Sequence, residues 1–203
     1  MWKVKDICPS CRMIRTNTAF LDFILVNQDH YPEGSVQELS IKKGQQLIRQ
    51  RSSVNAVSIV KEGIAKCFLY QEDGTDFILE FFGPGEVVGE IEMLNNEMSF
   101  AAVEAITPIT VLRISRDWFN ELLTNDPVFN HYVLKLLAGK VKYKATRFSF
   151  AQTHTVEQTL KKMLIDMPDL LEVISKKDLV SYLGITERSL NRTLKSLKDN
   201  GQI

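Results

Sequence analysis

Three patterns of apolar and polar residues follow one another along the chain. Residues 16–28 contain the apolar stretch FLDFILVNQ, which fits either a short helix or a segment that covers another element. Residues 36–114 consist of short apolar or alternating runs, and residues 116–203 carry apolar positions at helical spacing. The runs of the middle region are VQELSI, QQLIRQ, AVSIVKEG, IAKCFLYQEDG, DFILEFFGPG, EVVGE, FAAVEAI and ITVLRIS. Short runs divided by glycine-containing turns predict an antiparallel sandwich or barrel, followed here by helices.

Two glycines of the middle region stand between predicted strands. Gly63 follows Lys-Glu and Gly74 follows Glu-Asp, which are sequences typical of turns. We expect both glycines in hairpin turns, because glycine adopts positive φ without a steric penalty.

A long helix is the main prediction for the region after the strands. The sequence Asn-Asp-Pro at 125–127 is a helix start, and the helical pattern then continues over 128–152. Shorter helices are predicted at 116–123 and 154–167. One face of the long helix is apolar and could pack on its own barrel, but we favour pairing with a second copy of the chain. The predicted dimer interface is Val133, Leu134, Leu137, Val141, Ala145 and Phe148.

Residues 174–197, ISKKDLVSYLGITERSLNRTLKSL, have the pattern of a helix-turn-helix. Ser175 is a good N-cap with Asp178 three residues later, and the first helix should end before Gly184. Thr186 can cap a second helix, whose apolar stripe is Leu190, Leu194 and Leu197. Its other face carries Arg188, Asn191, Arg192 and Lys195. Arg and Asn can pair with base edges in the major groove and Lys suits phosphates, so we favour DNA recognition over an ordinary helical hairpin with a solvated basic face.

Composition agrees with two modules of different charge. The 203 residues are 44% hydrophobic and 25% charged, with a formal net charge of zero. Residues 139–203 hold 12 Lys and Arg against 7 Asp and Glu, whereas residues 1–138 hold 13 against 18. A basic second part indicates the nucleic-acid contact there. The expected division is a sensing domain at 1–127, a dimerisation helix at 128–152 and a DNA-binding domain at 153–203.

The sequence shows no pattern for membrane insertion, secretion or metal binding by its cysteines. No apolar run is long enough to cross a bilayer and the N-terminus lacks a secretory pattern, so we expect a cytoplasmic protein. Cys8 and Cys11 form one CxxC without a second, and Cys67 is distant in sequence. Four ligands are needed for a closed zinc or iron–sulfur site, so no metal is predicted.

Motifs in both halves resemble one bacterial superfamily. They are VKEGIAK at 60–66, FFGPGEVVGE at 81–90, AIT at 105–107, VLRI at 111–114, SKKDL at 175–179 and LGITERSLNRTL at 183–194. The chain resembles the regulators named for the cyclic-AMP receptor protein and the fumarate–nitrate regulator (CRP/FNR). This resemblance implies an α+β fold: an N-terminal antiparallel β-roll (a double-stranded jelly roll of the cyclic-nucleotide-binding type), a long dimerisation helix and a C-terminal helix-turn-helix of winged-helix type.

The same resemblance implies the function and the partners. A transcription regulator of this kind binds a small effector in the β-roll, dimerises and contacts double-stranded DNA, with RNA polymerase as a further partner. The DNA-contacting residues implied are Ser175, Thr186, Glu187, Arg188, Asn191, Arg192 and Lys195. Family members commonly open the reading helix with Arg-Glu, whereas this chain has Glu187 and then Arg188. We therefore expect a different preferred DNA site.

The effector region departs further from the family pattern. Gly89 and Glu90 match the pair that holds the ribose of a cyclic nucleotide, but Ser99 and Phe100 stand where the family has the Arg-Ser pair for the phosphate. No basic residue lies between Glu90 and Thr110. Burying the phosphate without a countercharge is costly, so we expect an unknown effector rather than cyclic AMP bound in the usual way. The alternative is cyclic AMP in an altered cradle. The expected pocket is Val88, Gly89, Glu90, Ile91, Ser99, Phe100 and Ala101.

Other readings of the sequence are weaker. A cupin-type enzyme needs clustered metal ligands, but there is no histidine in 36–114. A haem sensor needs a buried axial ligand, whereas His131 and His154 fall on or near the long helix. Ile203 falls where the wing of a winged helix would begin, which predicts a wingless reading head or a shortened chain. A sensor that acts through protein contacts without DNA is the remaining alternative.

Overall fold

The computed structural model describes residues 13–72 and 74–203, which form two compact units. The first unit is 14–137, and the second contains Met13 and 138–203. The strands are β1 (Ile14–Arg15), β2 (Val36–Ile41), β3 (Gln46–Ile48), β4 (Ala56–Glu62), β5 (Ala65–Tyr70), β6 (Asp76–Phe82), β7 (Val87–Val88), β8 (Ala102–Ala105) and β9 (Ile109–Ser115). The helices are α1 (Thr18–Asn27), α2 (Glu90–Asn95), α3 (Arg116–Asn125), α4 (Pro127–Thr153), α5 (Val156–Asp166), α6 (Leu170–Val173), α7 (Lys176–Leu183) and α8 (Glu187–Asp199).

The described strands form two sheets. One has the order β1-β6-β5-β8-β3 and the other β2-β9-β4-β7. The pairs are antiparallel except β1 with β6, where Ile14 and Arg15 lie parallel to Phe81 and Phe82. The predicted antiparallel β-roll is therefore confirmed, with one short parallel pair added at its edge. The run EVVGE is divided between β7 and the start of α2.

The two glycine turns differ from each other. Gly74 has φ +80° and lies in the β5–β6 hairpin, as predicted. Gly63 also has positive φ, at +83°, but it joins β4 and β5, which belong to different sheets. The hairpin prediction is wrong for Gly63, because the chain turns a corner between sheets there. A Cβ at this position would lie 2.3 Å from the Pro108 carbonyl oxygen.

The ambiguous stretch at 16–28 folds mainly as helix α1. Asn17 caps it by accepting a hydrogen bond from the Phe20 amide. Phe20 and Ile24 pack in the core of the first unit, together with Phe119 of α3 and Phe129 of α4. Burial of these large apolar side chains attaches the helices to the β-roll.

Helices make up the regular structure described in the second unit. Its α4 portion, 138–153, continues the helix whose earlier residues belong to the first unit. Thr155 and Gln158 form a reciprocal capping box at the start of α5. The short helix α6 was not predicted from the sequence. Among the described residues, no helix is long and apolar enough to cross a membrane.

Candidate nucleic-acid interface and effector region

The first helix of the helix-turn-helix is fixed by local capping at both ends. The Ser175 hydroxyl accepts a hydrogen bond from the Asp178 amide at 3.0 Å and donates to the Asp178 carboxylate at 2.7 Å. Gly184 ends α7 in the left-handed conformation with φ +65°. A left-handed C-cap is most accessible to glycine, so the sequence defines the turn at this position.

The second helix is also capped and has a distinct buried stripe. Thr186 accepts a hydrogen bond from the Ser189 amide at 3.2 Å, and α8 begins at the next residue. Leu190, Leu194 and Leu197 are buried within the second unit. This stripe fixes the orientation of α8, so the side chains opposite it must face outwards.

The face opposite the leucines is basic and accessible. Arg188, Asn191, Arg192 and Lys195 are all exposed, and so is Glu187 in the first turn of α8. The Lys176 ammonium donates a hydrogen bond of 2.9 Å to the Asn191 side-chain oxygen. Lys176, fifteen residues earlier in the sequence, is thus joined to this face, which sequence spacing alone did not indicate. The face presents guanidinium, ammonium and amide groups, the usual partners of guanine, phosphate and adenine.

Helix α4 has both a buried and an exposed set of apolar side chains. Val133 is only 2% exposed in the core of the first unit, and Leu137 packs partly against that core. The prediction that Val133 contributes to a dimer interface therefore needs correction. Leu134, Val141 and Phe148 are 60%, 70% and 69% exposed. They recur every seven residues, which places them along one stripe of the helix.

Two small residues continue that stripe. Ala138 and Ala145 lie four residues after Leu134 and Val141, and both are exposed. We call the set Leu134, Ala138, Val141, Ala145 and Phe148 the α4 stripe. Apolar residues spaced alternately four and three apart form the seam along which two helices pack.

The residues expected to line an effector pocket begin at a sharp turn. Gly89 has φ +92° and is the N-cap of α2, and its Cα approaches the Ala56 carbonyl so closely that a Cβ would lie 2.8 Å from that oxygen. Glu90 follows as the first residue of α2 and is only 1% exposed. Val88, Ser99 and Ala101 are also buried. The chain thus needs glycine at 89 for steric reasons alone.

Ser99 is bonded to a distant loop. Its hydroxyl donates to the Arg49 carbonyl and accepts from the Ser52 amide, and its own amide and carbonyl bond Ser52 and Arg51. Phe100 is 68% exposed and Ile91 is also exposed, so neither side chain lies in an enclosed pocket as expected. Ser99 acts here as a link between two loops, and no local sequence pattern indicated that the 49–52 loop is part of this region.

The described residues contain no group of three or more His, Cys, Asp and Glu side chains that could hold a metal ion. Cys67 is buried on β5, while Cys8 and Cys11 lie outside the described residues. His131 and His154 are exposed rather than placed as axial ligands inside a core.

Comparisons with known proteins agree with this architecture. Residues 38–126 match the cyclic nucleotide-binding domain family. The chain is 26% identical over 168 residues to the probable transcriptional regulator flp of Lacticaseibacillus casei, covering 80% of this chain and 76% of that protein. The structure of FixK2 from Bradyrhizobium japonicum is similar with a TM-score of 0.68 and 21% identity, covering 82% of this chain and 86% of that one. The structure of the c-di-GMP-responsive global regulator CLP of Xanthomonas campestris is similar with a TM-score of 0.70 and 16% identity, covering 91% of this chain and 93% of that one.

A β-roll followed by a long helix and a helix-turn-helix defines a class of sensory regulatory proteins. Residues 38–126 belong to the cyclic nucleotide-binding domain family, and over about four fifths of its length the chain is similar to CRP/FNR-type bacterial transcription regulators, as its motifs indicated.

Proposed function

We propose that this chain is a homodimeric transcription regulator that reads double-stranded DNA with α8 and responds to a small effector. The observation that carries this proposal is the exposed basic face of α8, held opposite three buried leucines. A capped helix with one firmly packed side can enter the major groove as a rigid element.

The chemistry of the face supports base reading rather than phosphate contact alone. Arg188 and Arg192 lie one turn apart on the exposed side of α8, so both can reach base edges within one half-site. Glu187 can accept a hydrogen bond from the cytosine amino group. This favours a DNA site different from that of relatives whose DNA-reading helix begins with Arg. Lys176 and Lys195 suit the flanking phosphates.

The α4 stripe supports dimerisation. Three large side chains of the stripe are more than half exposed, and an apolar surface of this kind favours a matching partner. A second copy would bring the same stripe and form a two-fold interface. Two reading helices then bind two half-sites about one helical turn apart, the usual arrangement for this motif. A DNA-bound dimer of this type would act on transcription through contacts with RNA polymerase.

The effector region supports a ligand other than cyclic AMP held in the usual way. Glu90 is buried at the expected ribose position, but 90–110 provides no cation for a phosphate. The Ser99 hydroxyl is engaged by the 49–52 loop instead. An anion would therefore lose hydration there without gaining an opposite charge from this segment.

The test starts from DNA selection. A random duplex library is enriched on the full chain, and binding to the selected site is measured at two salt concentrations for the wild type and Arg192→Ala. Losing a bidentate contact to guanine, at about 1–3 kcal/mol per contact, should weaken specific binding by about fivefold to 150-fold and relax the preference at one base pair of each half-site.

The matched control is Arg113→Ala. Arg113 is an exposed arginine on β9 of the first unit, so the variant changes the net charge equally without altering α8. It should bind the selected site as the wild type does. Failure to enrich any sequence, or equal losses in the two variants, would contradict the proposal.

A further inference from the structure

A cavity lies in the second unit, and none of the exposed side chains of the α8 face lines it. It has a volume of about 160 Å³ and is walled by α4, by α5 and by the end of α7. Its apolar wall includes Met13, Tyr143, Phe150, Val156, Met163 and Leu183. An apolar cavity of about 150 Å³ holds a benzene molecule, so this one is sized for a single ring.

The cavity lining contains three basic side chains beside four hydroxyl-bearing ones. Arg147, Lys162 and His154 line it, and none of the described lining residues is an Asp or Glu. Arg147 contributes a guanidinium group and Lys162 an ammonium group. Lys162 also pairs with Asp166 at 3.4 Å, which is one helical turn further along α5. An apolar wall with basic groups at its border favours a ligand that has a ring and an acidic group.

The Arg147 guanidinium is held in position by α7. It stacks over the Tyr182 ring at 3.9 Å from the centroid and donates a hydrogen bond of 3.1 Å to the Tyr182 carbonyl. The Tyr143 hydroxyl lies 3.5 Å from that of Tyr182 and donates to the Met13 carbonyl. A guanidinium fixed in this way loses less freedom when it binds an anion, because its rotamer is already set.

The cavity is also lined by residues of the helix-turn-helix. Tyr182 and Leu183 line it, and Gly184 follows directly as the turn that leads into α8. A ligand that contacts Tyr182 and Arg147 thus acts on the last turn of α7. If DNA also binds one arrangement of α7 better than another, a ligand that prefers either arrangement changes the DNA affinity, and DNA changes the ligand affinity by the same factor.

We propose that this cavity binds a small carboxylate with one apolar ring, of the benzoate class, and that its occupancy changes the DNA affinity of α8. The proposal that the cavity binds such a carboxylate is independent of the proposed function. The proposal that its binding changes DNA affinity rests on the proposed function.

The binding test is isothermal titration calorimetry of the full chain with benzoate and with its neutral analogue benzamide. Benzoate should bind at least about tenfold more tightly, since a charge-assisted hydrogen bond is roughly twice as strong as a neutral one. Equal affinity for benzoate and benzamide, or no binding of benzoate, would overturn the proposal.

Two matched variants locate the site. Lys162→Met removes a lining cation and should weaken benzoate binding roughly fivefold to tenfold. Lys161→Met makes the same change one residue earlier on α5, outside the lining, and should leave the affinity within about twofold. Similar effects of the two variants would show that the site lies elsewhere.

A third variant tests the volume without removing charge. Thr146 lines the cavity from α4, and Thr146→Phe should abolish benzoate binding by filling the space. Circular dichroism checks that the variant is folded, and Lys162→Met decides the matter if it is not. Retained binding by a folded Thr146→Phe protein would contradict the assignment.

The coupling is measured with the selected duplex in the presence and absence of saturating benzoate. The affinity for DNA should change at least about threefold in the wild type and not in Lys162→Met. If the protein binds no DNA, the calorimetric result still decides the cavity assignment. If benzoate binds without changing DNA affinity, the coupling is refuted.

Discussion

The α4 stripe gives a prediction whose magnitude follows from exposure. Val141 is 70% exposed, and fully burying a valine side chain contributes about 1.5–3 kcal/mol. Covering its exposed part in a dimer should therefore contribute about 1–2 kcal/mol for each copy, or about 2–4 kcal/mol for the pair. Val141→Ser removes most of this contribution, so the dimer dissociation constant should rise roughly 30-fold to 1,000-fold.

The measurement is sedimentation equilibrium over a range of protein concentrations. The control is Val26→Ser on α1, because Val26 is 72% exposed and the substitution is the same. Val26→Ser should leave the dissociation constant within about twofold. If both variants dissociate to the same extent, or if Val141→Ser sediments like the wild type, the α4 stripe is not the dimer interface.

Three further predictions concern the first unit. Gly63→Ala should lower the free energy of unfolding by at least about 2 kcal/mol, because φ is +83° and the new Cβ would lie 2.3 Å from the Pro108 carbonyl oxygen. Gly74→Ala has a similar φ of +80° but open space around the Cβ, so it should lower the free energy of unfolding by only about 1 kcal/mol. Urea denaturation measures both values. Burial, and to a smaller extent the charge of Asp126, raises the pKa of Tyr31 from 10.0 to about 12. The contribution of the neutral phenol to stability is therefore fully present below pH 10 and is lost as the pH rises through 12. Tyr31→Phe should therefore lose less stability than the wild type over that interval in urea titrations, and parallel curves would refute the assignment. Millimolar cyclic AMP should leave the thermal midpoint unchanged, because 90–110 lacks a cation, and a saturable rise would contradict this.

The parts of the molecule that could be predicted from the sequence are those fixed by local chemistry. Ser175, Gly184 and Thr186 define the helix-turn-helix because N-caps and left-handed C-caps depend on a few neighbouring residues. The strands of the β-roll were predictable for a similar reason, since alternation and turns mark their ends. The leucine stripe of α8 also followed from its spacing, and all three leucines are buried.

Long-range contacts could not be predicted in this way. Ser99 bonds residues 47 to 50 positions earlier in the chain, so nothing near it in sequence indicates that its hydroxyl is engaged. Gly63 looks like a hairpin glycine, because its turn sequence does not reveal that the next strand joins the other sheet. The cavity beside Tyr182 depends on where α4, α5 and α7 meet, which their separate patterns do not specify.

Helix α4 shows why the spacing of apolar residues does not identify what each face of a helix packs against. Its apolar residues cover more than one face, and a broad apolar surface can serve two contacts at once. Phe129, Val133 and Leu136 are buried in the core of the first unit, whereas Leu134 lies next to Val133 in sequence and stays exposed. Adjacent helical residues point about 100° apart, so a one-residue difference decides between core and surface. The exposed set continues as Val141 and Phe148 at seven-residue intervals, and this continuation beyond the core is the pattern on which we base the proposed second contact surface.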